Sequence, residues 1–171
     1  MLNGGHEAPT ATGLLEAQAM SEEHAHGAKA GPPLSLASAA GFTLSSVLRC
    51  EAMIFALKAA LRFGGFAWTT KWIRRQVQCV PVTTSANAAI VTATASAVAM
   101  AGALYPGRAL CLEQSLVLYY LLRRQGIPVR YRHGVRPHPF QAHAWIEYLD
   151  EPINDVSEHV ALFVRFPDLL P

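Results

Sequence analysis

Cys111, His143 and Asp155 follow one another along this 171-residue chain as a thiol, an imidazole and a carboxylate. That set is able to run nucleophilic acyl chemistry. The imidazole takes the thiol proton, the thiolate attacks a carbonyl carbon, and the carboxylate holds the ring's tautomer and stabilises its cation. Each residue also has a plainer reading. Cys111 falls in the first turn of the best-signalled helix, where unpaired N–H groups and the helix dipole favour a thiolate, yet a cysteine in an apolar stretch is commonly an inert core residue. Glu113 in the same turn opposes the thiolate slightly, so a basic partner is required. His143 lies in Gln-Ala-His-Ala-Trp-Ile-Glu-Tyr, where strand alternation puts His143, Trp145 and Glu147 on one face. It is either a base or a satisfied structural histidine. Asp155, in Pro-Ile-Asn-Asp-Val, is either the orienter, returning beside His143 on a neighbouring strand, or an exposed turn residue.

The elements that must position these residues are helices first and strands after. Leu44 to about Gln78 shows helical recurrence of apolar residues broken at Gly64-Gly65, which predicts two helices around a glycine break. Trp68, Trp72 and Ile73 share one side of the second, and core packing is their first explanation. Ser85 to about Leu104 is helix-compatible through its alanines. Leu110 to Gln125 is the clearest helix, ending in Arg123-Arg124 with Gly126 at a C′ position and Pro128 beyond. Val129–Val135 and Ala142–Tyr148 read as strands joined by Pro137-His138-Pro139, with a further short strand near Ala161–Phe166. Helices followed by a small antiparallel sheet place the chain in the α+β class. Residues 1–40 are rich in Gly, Ala, Ser, Pro and His without a sustained period and read as a disordered tail, leaving 41–171 as the domain.

Composition narrows the field. Fourteen basic against twelve acidic residues give a net charge of +2, too little for a nucleic-acid footprint. Cys50, Cys79 and Cys111 are an odd number at unequal spacings, which speaks against a disulfide framework and a paired-cysteine metal site, and fits a reducing cytoplasm. Cys50 and Cys79 read as core residues. Val80 to Gly107 carries no charge, but its Ala, Thr and Ser content suits a buried helix better than a membrane span, so no firm membrane association is expected. His133, His138, His143 and Cys111 lack metal-motif spacing, and neither a metal nor a cofactor is expected.

Cys, His and carboxylate in that order is the arrangement of papain-like and transglutaminase-like enzymes. Four blocks carry a closer likeness: Cys-Leu-Glu-Gln-Ser-Leu at 111–116, Leu-Leu-Arg-Arg-Gln-Gly-Ile-Pro at 121–128, Gly-Val-Arg-Pro-His-Pro-Phe-Gln-Ala-His-Ala-Trp-Ile-Glu at 134–147 and Ile-Asn-Asp at 153–155. In these the chain resembles the B2 leader peptidases of lasso-peptide biosynthesis, over about Leu44 to Phe166. The resemblance implies a cysteine peptidase with Cys111 as nucleophile, His143 as base and Asp155 as orienter. It implies three partners: a lasso precursor peptide, a separate leader-recognition protein of the B1 type, and an asparagine-synthetase-like cyclase. Gly134 and the Arg136 to Phe140 segment take shaping roles, with Arg136 a candidate substrate contact. The rival readings are a transglutaminase-type or other acyl transferase, which shares the first half of the mechanism, and a non-catalytic scaffold of the same fold.

Overall fold

A computed structural model describes residues 43–82, 88–107 and 110–170. The expected tail over 1–40 and the first residues of the helix expected from Ser85 lie outside them. Helix α1 spans Leu44–Gln78 and opens on a capping box, in which the Ser46 N–H donates to Thr43 Oγ1 at 3.3 Å and the Thr43 N–H to Ser46 Oγ at 3.0 Å. At Gly65 the backbone leaves the helical region (φ 75°, ψ 171°), so α1 is two helices meeting at a kink where the glycine pair predicts a break. Helix α2 follows at Ala88–Leu104 and α3 at Cys111–Arg124, with Gly126 beyond it at φ 78°. Among the described residues no helix is long and apolar enough to cross a membrane.

Helix α3 occupies the centre. Leu116, Val117, Leu118 and Tyr119 are buried in succession, a run that leaves no solvent face, because α1 and α2 pack on one side of α3 and the sheet on the other. Ile54, Ile73 and Val77 of α1, Val91, Val98 and Ala101 of α2, and Tyr131 and Ile146 of the sheet complete this core. The expectation that Trp68 and Trp72 are core residues is corrected. They are 56% and 42% exposed, with Trp72 stacked on Tyr120, while Ile73 alone of the three turns inward. Cys50 is buried as expected, but Cys79, at the end of α1, is exposed.

The sheet has four antiparallel strands in the order β3-β2-β1-β4, where β1 is Val129–Arg136, β2 Gln141–Tyr148, β3 Glu151–Pro152 and β4 Val164–Arg165. The expected strand at Ala161–Phe166 shrinks to β4, since a one-turn helix α4 (Ser157–Val160) and a turn occupy the chain before it. Gly134 lies where β1 meets β4, opposite both His143 and Arg165. A Cβ there would lie 2.5 Å from the Val164 carbonyl oxygen and 3.2 Å from Phe163 Cβ. Gly134→Ala should therefore lower stability by about 2 kcal/mol as β4 is forced outward, a loss of roughly 5–10 °C in Tm that a thermal melt would read. An unchanged Tm would mean that β4 can shift without cost.

Candidate active site

Leu110, the residue before α3, has no side-chain group with which to cap the helix, so the first-turn amides are not consumed by a capping residue. The Cys111 thiol sits among these amides, at the point where α3 meets the middle of β2. It interacts with the His143 ring and with the backbone N–H groups of Ala144 and Leu112. Burial pushes the thiol up, but these hydrogen bonds and the histidine's charge outweigh it, and the net shift is downward.

His143 reaches the site from β2, and its Nε2–H donates to Asp155 Oδ2 in a short contact, leaving Nδ1 to face the thiol. Burial alone would lower the imidazole's pKa. The hydrogen bonds to Asp155 and Cys111, with their negative charges, raise it to about 9. Asp155 lies in the bend between β3 and α4, not on a neighbouring strand. Its Oδ1 accepts the Val156 N–H at 2.7 Å, and His159 Nδ1–H bridges Oδ1 and Oδ2 at 3.0 and 2.9 Å. Burial raises this carboxyl, yet donation from His143, His159 and Val156 brings it down to about 2. The three residues singled out by spacing thus form one chain of contacts, thiol to imidazole to carboxylate.

Four further residues hold that chain in place, and none stands out from residue type alone. Ser115, one turn along α3 from Cys111, donates to the Ala144 carbonyl at 2.9 Å and accepts from Asn154 Nδ2 at 3.0 Å. The Asn154 Oδ1 in turn accepts the Ile146 N–H at 2.8 Å. Helix, strand and the Asp155 bend are therefore bolted together through two polar side chains. Phe163 packs against the rings of both His143 and His159, at 5.1 and 5.2 Å. The only sequence hint of His159 is its position four residues after Asp155, on α4.

Trp145 stacks on His143 with ring centroids 5.9 Å apart. Its Nε1–H donates to Glu147 Oε1 at 3.1 Å, and Glu147, 3% exposed, also pairs with Arg132 at 2.9 Å and Arg165 at 3.2 Å. Glu147 shares a strand face with His143, as alternation predicts, but its carboxylate is spent on Trp145 and two arginines. Removing it leaves Arg132, whose side chain is mostly buried, with Asp168 as its remaining carboxylate partner. Glu147→Ala should cost about 3 kcal/mol by leaving that cation underpaired, with a smaller loosening of the His143–Trp145 stack as Trp145 loses its tether. Urea unfolding measures the first, and a stability equal to the parent's would show the network to be marginal. Arg136 donates to Gln141 Oε1 at 2.8 Å and lies over the Phe163 ring.

Among the described residues, His143, Asp155 and His159 form a group whose ligand-type atoms all lie within 4.8 Å of one another. The histidine and cysteine set weighed from the sequence, His133, His138, His143 and Cys111, is not that group. Comparisons with curated proteins and with solved structures return no match. The sequence profile of the family described as "Transglutaminase-like superfamily" matches residues 53–166, from the first half of α1 to just past β4. Two-thirds of the chain, including Cys111, His143 and Asp155, lies inside that match, and the chain belongs to the transglutaminase-like superfamily.

Proposed function

We propose that this chain is a cysteine peptidase that removes the leader from a lasso-peptide precursor, with Cys111 as nucleophile, His143 as base and Asp155 as orienter. The superfamily suits cysteine peptidases and acyl transferases alike. The observation that carries the reading is the continuous thiol, imidazole and carboxylate contact at the uncapped start of α3. The four sequence blocks at 111–116, 121–128, 134–147 and 153–155 support the choice of substrate.

A raised imidazole beside a lowered thiol favours the thiolate–imidazolium pair over the neutral one. The thiolate adds to the carbonyl carbon at the leader-core junction, and the new oxyanion takes the Cys111 N–H at the start of α3. Collapse breaks the C–N bond, and His143 gives its Nδ1 proton to the departing amine of the core. Water then attacks the thioester and loses a proton to His143. The leader leaves with a free carboxylate, and Cys111 returns to thiolate.

The partners that belong to this reading are the precursor, a leader-recognition protein of the B1 type and an asparagine-synthetase-like cyclase. A separate leader-binding protein makes capture of a flexible precursor an intramolecular event at an effective concentration of roughly millimolar. The test is leader release by the purified chain with and without that protein, read by mass spectrometry. A leader ending in a free carboxylate, released faster with the partner present, is the expected product. An amide-linked leader identifies an acyl transferase, and no acyl-enzyme or product at all identifies a scaffold.

A further inference from the structure

His159 is not needed to complete the thiol, imidazole and carboxylate chain, yet its Nδ1 is directed at both oxygens of Asp155. Its ring stands edge-on to that of His143 with centroids 5.0 Å apart, and Phe163 packs on both. Two imidazole nitrogens thus converge on one carboxylate from two sides. The three donor atoms, His143 Nε2, an Asp155 oxygen and His159 Nδ1, lie within 4.8 Å of one another. Four-coordinate zinc, bonded to nitrogen and oxygen at about 2.0–2.2 Å, wants its donors roughly 3.3–3.5 Å apart and commonly takes three protein ligands plus a water. The side chains of His143 and Asp155 are partly exposed, at 13% and 15%, which leaves an ion a route in and a place for that water.

We propose that His143, Asp155 and His159 form a binding site for a divalent transition-metal ion of the zinc type, and that the ion reversibly switches the peptidase off. The inhibitory half rests on the peptidase reading above, while binding of the ion stands without it. The ion replaces the two hydrogen bonds now converging on Asp155, and the two-histidine, one-carboxylate donor set suits zinc or cobalt over magnesium or calcium. Its effect on catalysis follows from which edge of His143 it uses. The ion takes Nε2, and the thiol is on the opposite edge, at Nδ1. An imidazole with its Nε2 lone pair on a metal keeps its remaining proton at Nδ1. It has no lone pair there for the thiol proton, and giving that proton to the departing amine would leave an imidazolate. The base is occupied while the nucleophile is untouched.

Zinc binding to the purified full-length chain is measured by competition with a chromophoric chelator, and cobalt substitution is followed by visible absorption. One ion per chain, bound in the micromolar range or tighter, is expected. Cys111→Ser should bind it within about threefold of the parent, and the cobalt spectrum should lack a sulfur-to-metal charge-transfer band. His159→Phe, which keeps the ring packing, and His159→Gln should each weaken binding by roughly 1,000-fold, beyond the 10–100-fold typical of losing an outer-shell partner, with thermal melts confirming that both are folded. Zinc should abolish leader release by the parent and a chelator restore it, while the rate of either His159 variant, relative to its own metal-free rate, should resist the same zinc concentration. No binding, parent-like binding by both folded His159 variants, or loss of binding in Cys111→Ser would overturn the site. If zinc binds as described but the metal-free chain cleaves no precursor, the peptidase reading fails and the metal site stands.

Discussion

Cys111→Ala should reduce precursor cleavage on the order of ten-thousandfold or more, because loss of the nucleophile leaves only binding and oxyanion stabilisation. The melting temperature should hardly move. The thiol is half-buried at the mouth of the site and contributes little apolar packing, unlike Cys50, which lies in the core cluster. Cys50→Ala should be the reverse case, losing stability by about 1 kcal/mol through a small cavity and keeping its activity. Cys79, exposed at the end of α1, should be silent in both assays. Single-turnover cleavage followed by mass spectrometry, run beside thermal melts of all three variants, checks the pattern. An active Cys111→Ala would remove the nucleophile from the proposal.

The second large effect belongs to Asp155 and is best read against pH. With the imidazolium held up to about 9 and the thiol pulled below its usual range, kcat/KM should be bell-shaped. It should rise as the thiolate forms and fall on the alkaline side as His143 loses its proton near pH 9. Asp155→Ala removes a hydrogen bond and a negative charge that raise His143, so the alkaline limb should move to lower pH while the maximum rate falls about a thousandfold. Asp155→Asn should fall less, since one amide oxygen still accepts from His143 Nε2. It cannot also serve Val156 and His159 as the two carboxylate oxygens do. An alkaline limb that stays in place in Asp155→Ala would separate the carboxylate from the base.

The same shifts bear on stability. Asp155, brought down to about 2 from 3.8, adds stability that is present above pH 3.8 and lost as pH falls toward 2. His143, raised to about 9 from 6.5, adds stability that is complete below pH 6.5 and lost as pH rises through 9. Both contributions are in force between about pH 4 and 6.5; in Asp155→Ala the first should vanish and the second shrink to the part that Cys111 sustains.

What the sequence discloses here follows the range of the interactions involved. Helix α3 announces itself through local signals, the paired arginines in its last turn, Gly126 at positive φ and Pro128 beyond, and its bounds fall within one residue of those expected. The kink at Gly65 and the β1–β2 pair are local in the same sense. Cys111, His143 and Asp155 come together as their order suggests, although the pairing of His143 with Asp155 instead of Glu147 depends on Arg132, Arg165 and Trp145 claiming Glu147 first. Ser115 and Asn154 carry no signal because their partners are 39 residues apart and each looks like an ordinary polar residue. Trp68 and Trp72 mislead for the opposite reason. Their spacing on the helix is read correctly, but whether a face is buried is decided by its neighbours, and here they leave it largely uncovered.

The Ser115 and Asn154 bolt ties the Asp155 bend to the buried centre of the fold. Swinging the Asp155 bend away from His143 requires Asn154 to release the Ile146 amide, which lies on β2 beneath a fully buried side chain, and the Ser115 hydroxyl on the central helix. A bend of this length would ordinarily exchange its amide hydrogens by small local excursions, independently of the sheet. Here the Ile146 amide cannot meet solvent deuterium until bend, strand and helix separate together. The geometry of the candidate site should therefore open as part of one cooperative unit, with protection against exchange that tracks the global free energy of unfolding.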